Sequence, residues 1–183
     1  VKEDTLRLFH SNLEGCTISY YPIDLEMLFT RSPFALAGSN IFAGVKPVAT
    51  QTVTFDGAET QRDFPLPEEF ASNHVVIKVE AAGISRTAIH YASNLVAQLV
   101  ARYGQVQVTA RAAGTPLPKV YVKVFAQLQS GETLFYRDGY TDLRGRFDYA
   151  SSSTMDVGDV AQFAILVISE EHGAKVLTTP PPA

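Results

Sequence analysis

The feature that most constrains this chain is the near absence of helical periodicity along its 183 residues. Short runs rich in β-branched and aromatic residues recur instead, and Gly, Pro, Asn and Asp separate them. Such spacing is typical of a β-sandwich or a β-barrel. A chain of this length accommodates two domains of ordinary size. We therefore predict an all-β protein that consists of two small β-sandwich domains in tandem.

The first half contains several of these runs. We expect strands there at residues 5–9, 17–21, 25–30, 48–55, 75–80, 87–91 and 95–102. Two of the segments also contain good helix formers. Segment 25–30 is short and is stopped by Ser32-Pro33, whereas segment 95–102 can also be read with period two, so we predict strands for both.

A stretch of the first half that contains two prolines is predicted differently. Between Pro65 and Phe70 the prolines remove donors that a central strand needs for its ladder. We predict a crossing loop there, with one short helical turn.

The second half shows a more specific order of strands and turns. A loop at 114–118 precedes a strand at 119–126, in which three valines share one face while Tyr121, Lys123 and Phe125 share the other. The run 161–168 is apolar almost throughout, which fits a strand that is covered on both faces.

We place the boundary between the two domains at 102/103, beside Tyr103-Gly104. The last strand of the domain 1–102 would then run directly into the first strand of the domain 103–178. Residues 179–183 are rich in proline, which is typical of a linker or a terminus. The polar start and this ending lead us to expect a fragment of a longer protein, or a processed form.

Four features follow one another in the second half: Gly114-x-Pro116-Leu117, the valine-rich strand, Gly131 in a turn, and Thr141-Asp142-x-x-Gly145-x-Phe147. This order resembles carboxypeptidase-regulatory-like and transthyretin-like domains, over about residues 104–178. The resemblance implies a transthyretin-like β-sandwich in which the last motif is a strand, a tight turn and the next strand. The strand density of the first half is compatible with an immunoglobulin-like or macroglobulin-like module, by analogy.

The second half also holds the densest polar cluster of the chain. Asp138, Asp142 and Asp148 could supply the carboxylate oxygens that a calcium ion requires. Their spacing does not match an EF-hand loop, and interleaved arginines would pair with the same carboxylates. We therefore favour turn chemistry, in which Asp142 caps the turn through its side chain while Gly139 and Gly145 adopt positive φ. On this basis Gly145→Val should destabilise the second domain.

Motifs for catalysis are missing from the sequence. The four histidines include no pair at i, i+2 or i, i+4 spacing, so no compact zinc motif is present. The sequence also lacks His-Glu-x-x-His, Gly-x-Ser-x-Gly and a phosphate loop. Cys16 is the only cysteine, and we expect it to be a small core residue. We predict no catalytic residues and no cofactor.

The leading hypothesis is a non-catalytic module of a larger protein that serves as a structural spacer or a protein-interaction domain. Its partners would be other domains of the parent chain or a separate protein. An alternative is a carbohydrate- or peptide-binding module, for which Tyr136, Tyr140 and Arg144 are the candidate binding residues and the polar loop 151–154 is a further element. A second alternative is an enzyme fragment whose site is dispersed over distant loops.

The charge pattern limits the choice of partners. The net charge is −4, and the basic residues are scattered among acidic ones, so we predict no nucleic-acid surface. No stretch of about 18 apolar residues occurs, so we predict no membrane insertion. The lone cysteine leaves the compartment open, and we favour an extracellular or cell-envelope location over a cytoplasmic one.

Overall fold

The structure of the chain is a computed structural model that describes residues 5–34, 45–56, 59–150 and 157–182. Within these ranges the chain forms thirteen β-strands and two short α-helices. It divides into two compact units, of which the first takes in 1–28 and 35–92 and the second 29–34 and 93–183. The strands form two sheets in each unit, and the prediction of an all-β chain with two sandwiches is confirmed.

The first unit contains six strands. Their bounds are β1 (Thr5–Phe9), β2 (Gly15–Pro22), β3 (Ala49–Thr54), β4 (Gln61–Pro65), β5 (Val75–Ala81) and β6 (Ile84–His90). The helices are α1 (Leu25–Arg31), which ends within the second unit, and α2 (Glu68–Ala71). One sheet has the order β3-β2-β5-β6 and the other is the pair β1-β4, and all neighbours are antiparallel.

Apolar side chains from both sheets of the first unit meet in one core. The alternation of buried residues along β2 and β5 supplies most of it, and the ring of Tyr20 stacks on Phe70 of α2 with centroids 5.1 Å apart. The buried members are Leu6, Cys16, Ile18, Tyr20, Val53, Phe64, Leu66, Phe70, Val75 and Ile77. The expectation that Cys16 is a small core residue is confirmed, and burial raises the pKa of its thiol.

The prediction of a strand at 25–30 is wrong, because this segment forms α1. Asp24 starts the helix: its carboxylate accepts a hydrogen bond from the Met27 amide at 2.9 Å, and its carbonyl accepts one from the Leu28 amide at 3.0 Å. Such a side-chain acceptor satisfies a donor that the first helical turn leaves unpaired. Leu25 and Phe29, at i and i+4, are both buried, whereas Met27 between them is 53% exposed. Strict alternation would bury all three, so the pattern has the helical period.

The structure between Pro65 and Phe70 is close to the predicted crossing loop with one helical turn. The helical turn is α2, which begins at Glu68 and places the Phe70 ring in the core. The structure adds β4, which ends at Pro65 and pairs with β1. An edge position suits a strand that ends in proline, because the missing amide proton costs no ladder bond there.

The second unit contains seven strands. Their bounds are β7 (Leu95–Val100), β8 (Gln105–Ala110), β9 (Tyr121–Leu128), β10 (Thr133–Tyr140), β11 (Arg146–Asp148), β12 (Val160–Ser169) and β13 (Gly173–Thr179). A four-stranded sheet of order β10-β9-β12-β13 faces a three-stranded sheet of order β11-β8-β7 across one core. Alternation along β9 is as predicted, since Val122, Val124 and Ala126 are core residues, as is Val120 just before the strand.

The interior of β12 confirms the prediction of a strand covered on both faces, because its central residues are all buried. The core face takes Phe163, Ile165 and Val167. The outward face of the same sheet is partly covered by residues 29–34. There the Phe29 ring packs edge-on against Phe125, with centroids 5.7 Å apart.

The division of the chain differs from the predicted boundary at 102/103, because β7 belongs to the second unit. β7 pairs with β8 along its whole length, from Leu95 opposite Ala110 to Val100 opposite Gln105. Gly104, at a φ of +60°, makes the turn between them. A pair of strands joined by a tight turn forms its hydrogen bonds locally, so the units divide just before β7, between 92 and 93.

The Pro-rich end of the chain is packed against the second unit as far as it is described. Thr179, predicted to begin a tail at 179–183, is the buried last residue of β13. Pro182 lies beside Gly104, close enough that a side chain on that glycine would touch it.

Candidate functional site

The turn between β10 and β11 contains Asp142, one of the three aspartates that the sequence offered for calcium. Asp142 Oδ1 accepts hydrogen bonds from the amides of Arg144 and Arg146, both at 2.8 Å. The Arg146 amide, followed by that of Arg144 and the charges of the two arginines, holds the pKa of Asp142 below its ordinary value. Gly145 has a φ of +70°. The predicted roles of Asp142 and Gly145 in the turn are confirmed.

The other two aspartates are engaged elsewhere. Asp138 Oδ2 accepts a hydrogen bond from the Tyr121 hydroxyl at 2.7 Å, and Asp148 Oδ1 accepts one from the Gln105 amide group at 2.6 Å. The two residues lie on strands of opposite sheets, β10 and β11. Within the described ranges no three His, Cys, Asp or Glu residues are grouped to hold a metal, so the calcium hypothesis gains no support.

The prediction of positive φ at Gly139 is wrong, because this residue has ordinary strand geometry within β10. Its small size has a different reason. A Cβ at Gly139 would stand 2.8 Å from Cε2 of Phe147, so the glycine makes room for a core ring.

The three candidate binding residues do not come together. Tyr136 is only 9% exposed and packs edge-on against Phe163 in the core, with ring centroids 5.0 Å apart. Arg144 stays in the tight turn, where its amide bonds Asp142. The prediction that Tyr136 is a surface binding residue is therefore wrong, and the polar loop 151–154 lies outside the described residues.

Tyr140 alone reaches a concave surface, and its side chain is 66% exposed. Its ring lies beside that of Tyr121 on the neighbouring strand, with centroids 5.5 Å apart and planes tilted by 54°. The two rings border a groove of about 500 Å³, which is within the range of small-ligand sites. The residues that line this groove are Leu117, Pro118, Lys119, Val120, Tyr121, Tyr140, Ile168, Ser169, Glu170, Glu171 and His172.

The groove lies where β10 and β12 end and β9 begins, and Thr141 fixes the loop beside it. The buried Thr141 hydroxyl donates a hydrogen bond to the Leu117 carbonyl at 2.6 Å and accepts one from the Val120 amide at 3.0 Å. The carbonyl of Thr141 accepts a third bond, from the Lys119 amide at 2.9 Å. Lys119 has a φ of +58°, a strained conformation for a residue with a side chain, and one that surrounding contacts must impose.

Neighbouring side chains of β9 and β10 contact the Tyr121 ring of the groove. The bond from the Tyr121 hydroxyl to Asp138 orients the first ring, and Lys123 Nζ lies 6.0 Å from the centroid of that ring. Tyr121 was placed on the outward face of β9 by its alternation, but its pairing with Tyr140 follows only from the register. The sequence pattern alone could not predict this pair of rings, because it does not contain the register of β10 against β9.

Ser169, Glu171 and His172 at the far end of the groove have the residue types of a nucleophilic site but not its geometry. The Ser169 hydroxyl accepts a hydrogen bond from the His172 backbone amide at 3.2 Å, which is a turn contact. The His172 ring nitrogen Nε2 stands 4.0 Å from Glu171 Oε2. A catalytic serine needs a hydrogen bond from its hydroxyl to the imidazole of its general base. The Ser169 hydroxyl instead caps the hairpin turn.

Comparison with known proteins agrees with this division of the chain. Residues 1–77 match the family model of the AbpF seventh immunoglobulin-like domain, and residues 94–183 match that of the AbpF C-terminal domain. Both units are immunoglobulin-like β-sandwich domains. We call them the first and second immunoglobulin-like domains, and the groove belongs to the second.

A relative matches across both immunoglobulin-like domains. Actin-binding protein F of Dictyostelium discoideum is 34% identical over 178 residues, which is 97% of this chain. The chain spans only 8% of the length of that relative. Two regions of native alpha-2-macroglobulin from Escherichia coli share the fold.

The first of these regions, domains MG0-NIE-MG1, has a TM-score of 0.59 and 12% identity, with 95% of this chain and 58% of the other covered. The second, domains NIE-MG1, has a TM-score of 0.57 and 13% identity, with 94% and 86% covered. No helix in the described parts of the chain is long and apolar enough to cross a membrane.

Proposed function

We propose that the chain is a non-catalytic, protein-binding immunoglobulin-like module, and that the groove of the second domain is its contact surface. The observation that carries the proposal is the exposed Tyr140 ring beside Tyr121, above a groove of about 500 Å³. Tyrosine is enriched at protein interfaces because its ring offers a large apolar area and its hydroxyl a polar end. Few side chains carry most of the binding energy in such contacts, and tyrosine is prominent among them.

The name of the relative suggests which partner to examine first. That protein is an actin-binding protein, and its likeness extends over 97% of this chain. We propose filamentous actin as the protein partner of this module. Other domains of a longer parent chain are the alternative partner that the sequence predicted.

Co-sedimentation with purified filamentous actin tests this proposal. The chain and two variants, Tyr140→Ala and Phe135→Ala, are spun with increasing actin and the pelleted fraction is measured. Phe135 is the matched control, because it is an aromatic residue of β10 that is 53% exposed but does not line the groove. We expect saturable pelleting for the chain and for Phe135→Ala, and a dissociation constant about 5–10-fold larger for Tyr140→Ala.

Two results would contradict the proposal. Pelleting no greater than without actin would remove actin as the partner and favour the spacer role. Equal pelleting of Tyr140→Ala and the unchanged chain would remove the groove as the contact surface.

A carbohydrate ligand is the second candidate, because the exposed face of Tyr140 could also stack on a sugar ring. Tilted rings such as those of Tyr121 and Tyr140 offer one stacking face rather than a flat platform. A glycan array without hits, or with hits that Tyr140→Ala leaves unchanged, would discard this candidate.

The proposal also covers the family of the second domain and the cellular compartment of the protein. The likeness of residues 104–178 to transthyretin-like domains is supported by the turn at Asp142 and Gly145. The compartment depends on the partner: actin implies the cytoplasm, whereas the sequence favoured the cell exterior or envelope. The location of a fluorescent fusion of the full-length parent protein separates the two.

A further inference from the structure

The groove of the second domain has an apolar end and an acidic end. The rings of Tyr140 and Tyr121 form the apolar end, at the last residue of β10 and the first of β9. At the other end, beyond β12, stand two exposed carboxylates, Glu170 and Glu171. Lys119, which is also exposed, lines the groove two residues before Tyr121. The charge therefore changes sign from β9 to the loop after β12.

The order of the strands fixes the distance between these ends. The sheet runs β10-β9-β12, so the groove crosses two inter-strand spacings of about 4.8 Å each, or roughly 10 Å. An extended peptide advances about 3.3 Å per residue. Side chains on one face of an extended segment recur every second residue, about 6.6 Å apart. The long stem of a lysine or arginine two positions after the apolar residue covers the remaining distance to Glu170 and Glu171.

We propose that this groove binds an extended peptide segment with an apolar residue and, two positions later, a lysine or arginine. The apolar side chain packs on Tyr140 and Tyr121, and the basic side chain meets Glu170 and Glu171. Lys119 repels a basic group from the apolar end, so the segment binds in one direction. The proposal rests on the proposed function, because it names the chemistry of the partner that the same groove contacts.

A peptide fits this lining better than a sugar does. Beside the tyrosines, the aliphatic residues Leu117, Pro118 and Ile168 line the groove together with charged residues. A lining that combines apolar residues with a few polar groups is the usual composition of a site that holds an apolar side chain and orients it. Charge complementarity at the acidic end then selects the neighbour of that side chain.

Titration of the isotope-labelled chain with a synthetic peptide tests the proposal by nuclear magnetic resonance, which detects millimolar affinities. The probe is acetyl-Ser-Leu-Ser-Lys-Ser-amide, and the control peptide carries Glu in place of Lys. We expect amide shifts at Tyr121, Tyr140 and Glu170, with the Lys peptide bound at least about fivefold more tightly at low salt. High salt should reduce this preference, because exposed charge pairs are screened.

Variants separate the two ends of the groove. The double change Glu170→Gln and Glu171→Gln should bring the affinities of the Lys and Glu peptides together. Tyr140→Ala should weaken the binding of both peptides by about 5–10-fold, while Phe135→Ala should leave both affinities unchanged. Far-UV circular dichroism of each variant checks that it is folded, and the Glu→Gln pair lies in an exposed loop where folding is not at stake.

Every outcome bears on the proposal. Shifts at the groove with the Lys preference, lost in the Glu→Gln variant, support it. Shifts outside the groove or equal binding of the two peptides would overturn it. The absence of any shift at about 10 mM peptide, a concentration that detects even very weak binding, would overturn it as well. If actin still co-sediments in a Tyr140-dependent way after such a failure, the proposed function stands and only the peptide chemistry is wrong.

Discussion

Replacing Gly145 by alanine combines two costs in the turn between β10 and β11. Its φ of +70° lies in the left-handed region, where a residue with a side chain loses about 1–2 kcal/mol. A Cβ there would also overlap the carbonyl oxygen of Val108 and stand 3.0 Å from the amide nitrogen of Leu117. Both are backbone atoms, so they cannot rotate away as the end of a flexible side chain can.

The overlap has a further cost, because it falls on two backbone hydrogen bonds. The Val108 amide donates to the Gly145 carbonyl at 2.7 Å, and the Leu117 amide donates to the Val108 carbonyl at 3.0 Å. A shift that breaks both loses about 1 kcal/mol each. Together with the conformational cost, Gly145→Ala should reduce the free energy of unfolding of the second domain by about 3–4 kcal/mol. For a domain of this size, that lowers the melting temperature by about 12 °C or more.

Gly114 provides the matched control, because its φ is +66° and no atom lies within 4 Å of a Cβ built on it. Gly114→Ala should therefore lose only the conformational term of about 1–2 kcal/mol. The chain has no tryptophan and eight tyrosines, so tyrosine fluorescence and far-UV circular dichroism follow unfolding in urea. Equal losses in the two variants would refute the argument, since the contact with Val108 would then contribute nothing.

Further predictions concern three other sites. Gly104→Ala should cost about 2 kcal/mol or more, because φ is +60° and the new Cβ would stand 2.6 Å from Cβ of Ala150; an unchanged urea midpoint would contradict the turn between β7 and β8. Thr141→Val should cost about 2–3 kcal/mol, because it leaves two backbone groups of the groove loop without the buried hydroxyl, and a parallel loss of groove binding is measurable by the same peptide titration. Burial, and then the charge of His90, lower the pKa of His74 below its ordinary 6.5, so the unfolded state binds more protons; the first domain should lose stability as the pH falls below about 6.5, and melting curves of His74→Gln should show a weaker dependence.

Much of the second domain follows from its sequence, because two local rules act there without competition. Alternation along β9 places its valines in the core, since each successive side chain of a strand points to the opposite face. The turn needs an acceptor for its free amides and one residue at positive φ, and Asp142 and Gly145 are the residue types that supply them.

Segment 25–30 shows where the same rules compete. It contains good helix formers beside one β-branched and one aromatic residue, and the strand reading, which rested on its shortness before Ser32-Pro33, ignores the residue before it. Asp24 provides the acceptor that a helix start needs, and Leu25 and Phe29 then fall on one buried side. The cap adds to the helix preference of Leu, Glu and Met, and its contribution of about 1 kcal/mol exceeds the differences in intrinsic preference per residue.

The groove itself depends on one irregularity that period two cannot predict. Tyr136 and Tyr140 are four residues apart, so strict alternation would place both on the same face of β10. In the structure the register of β10 against β9 shifts between Phe135 and Arg137, and Tyr136 is the additional residue of this bulge. A bulge inserts one residue and reverses the parity of everything after it. Tyr136 therefore enters the core while Tyr140 faces outward opposite Tyr121, and the single extra residue creates the pair of rings on which the proposed site depends.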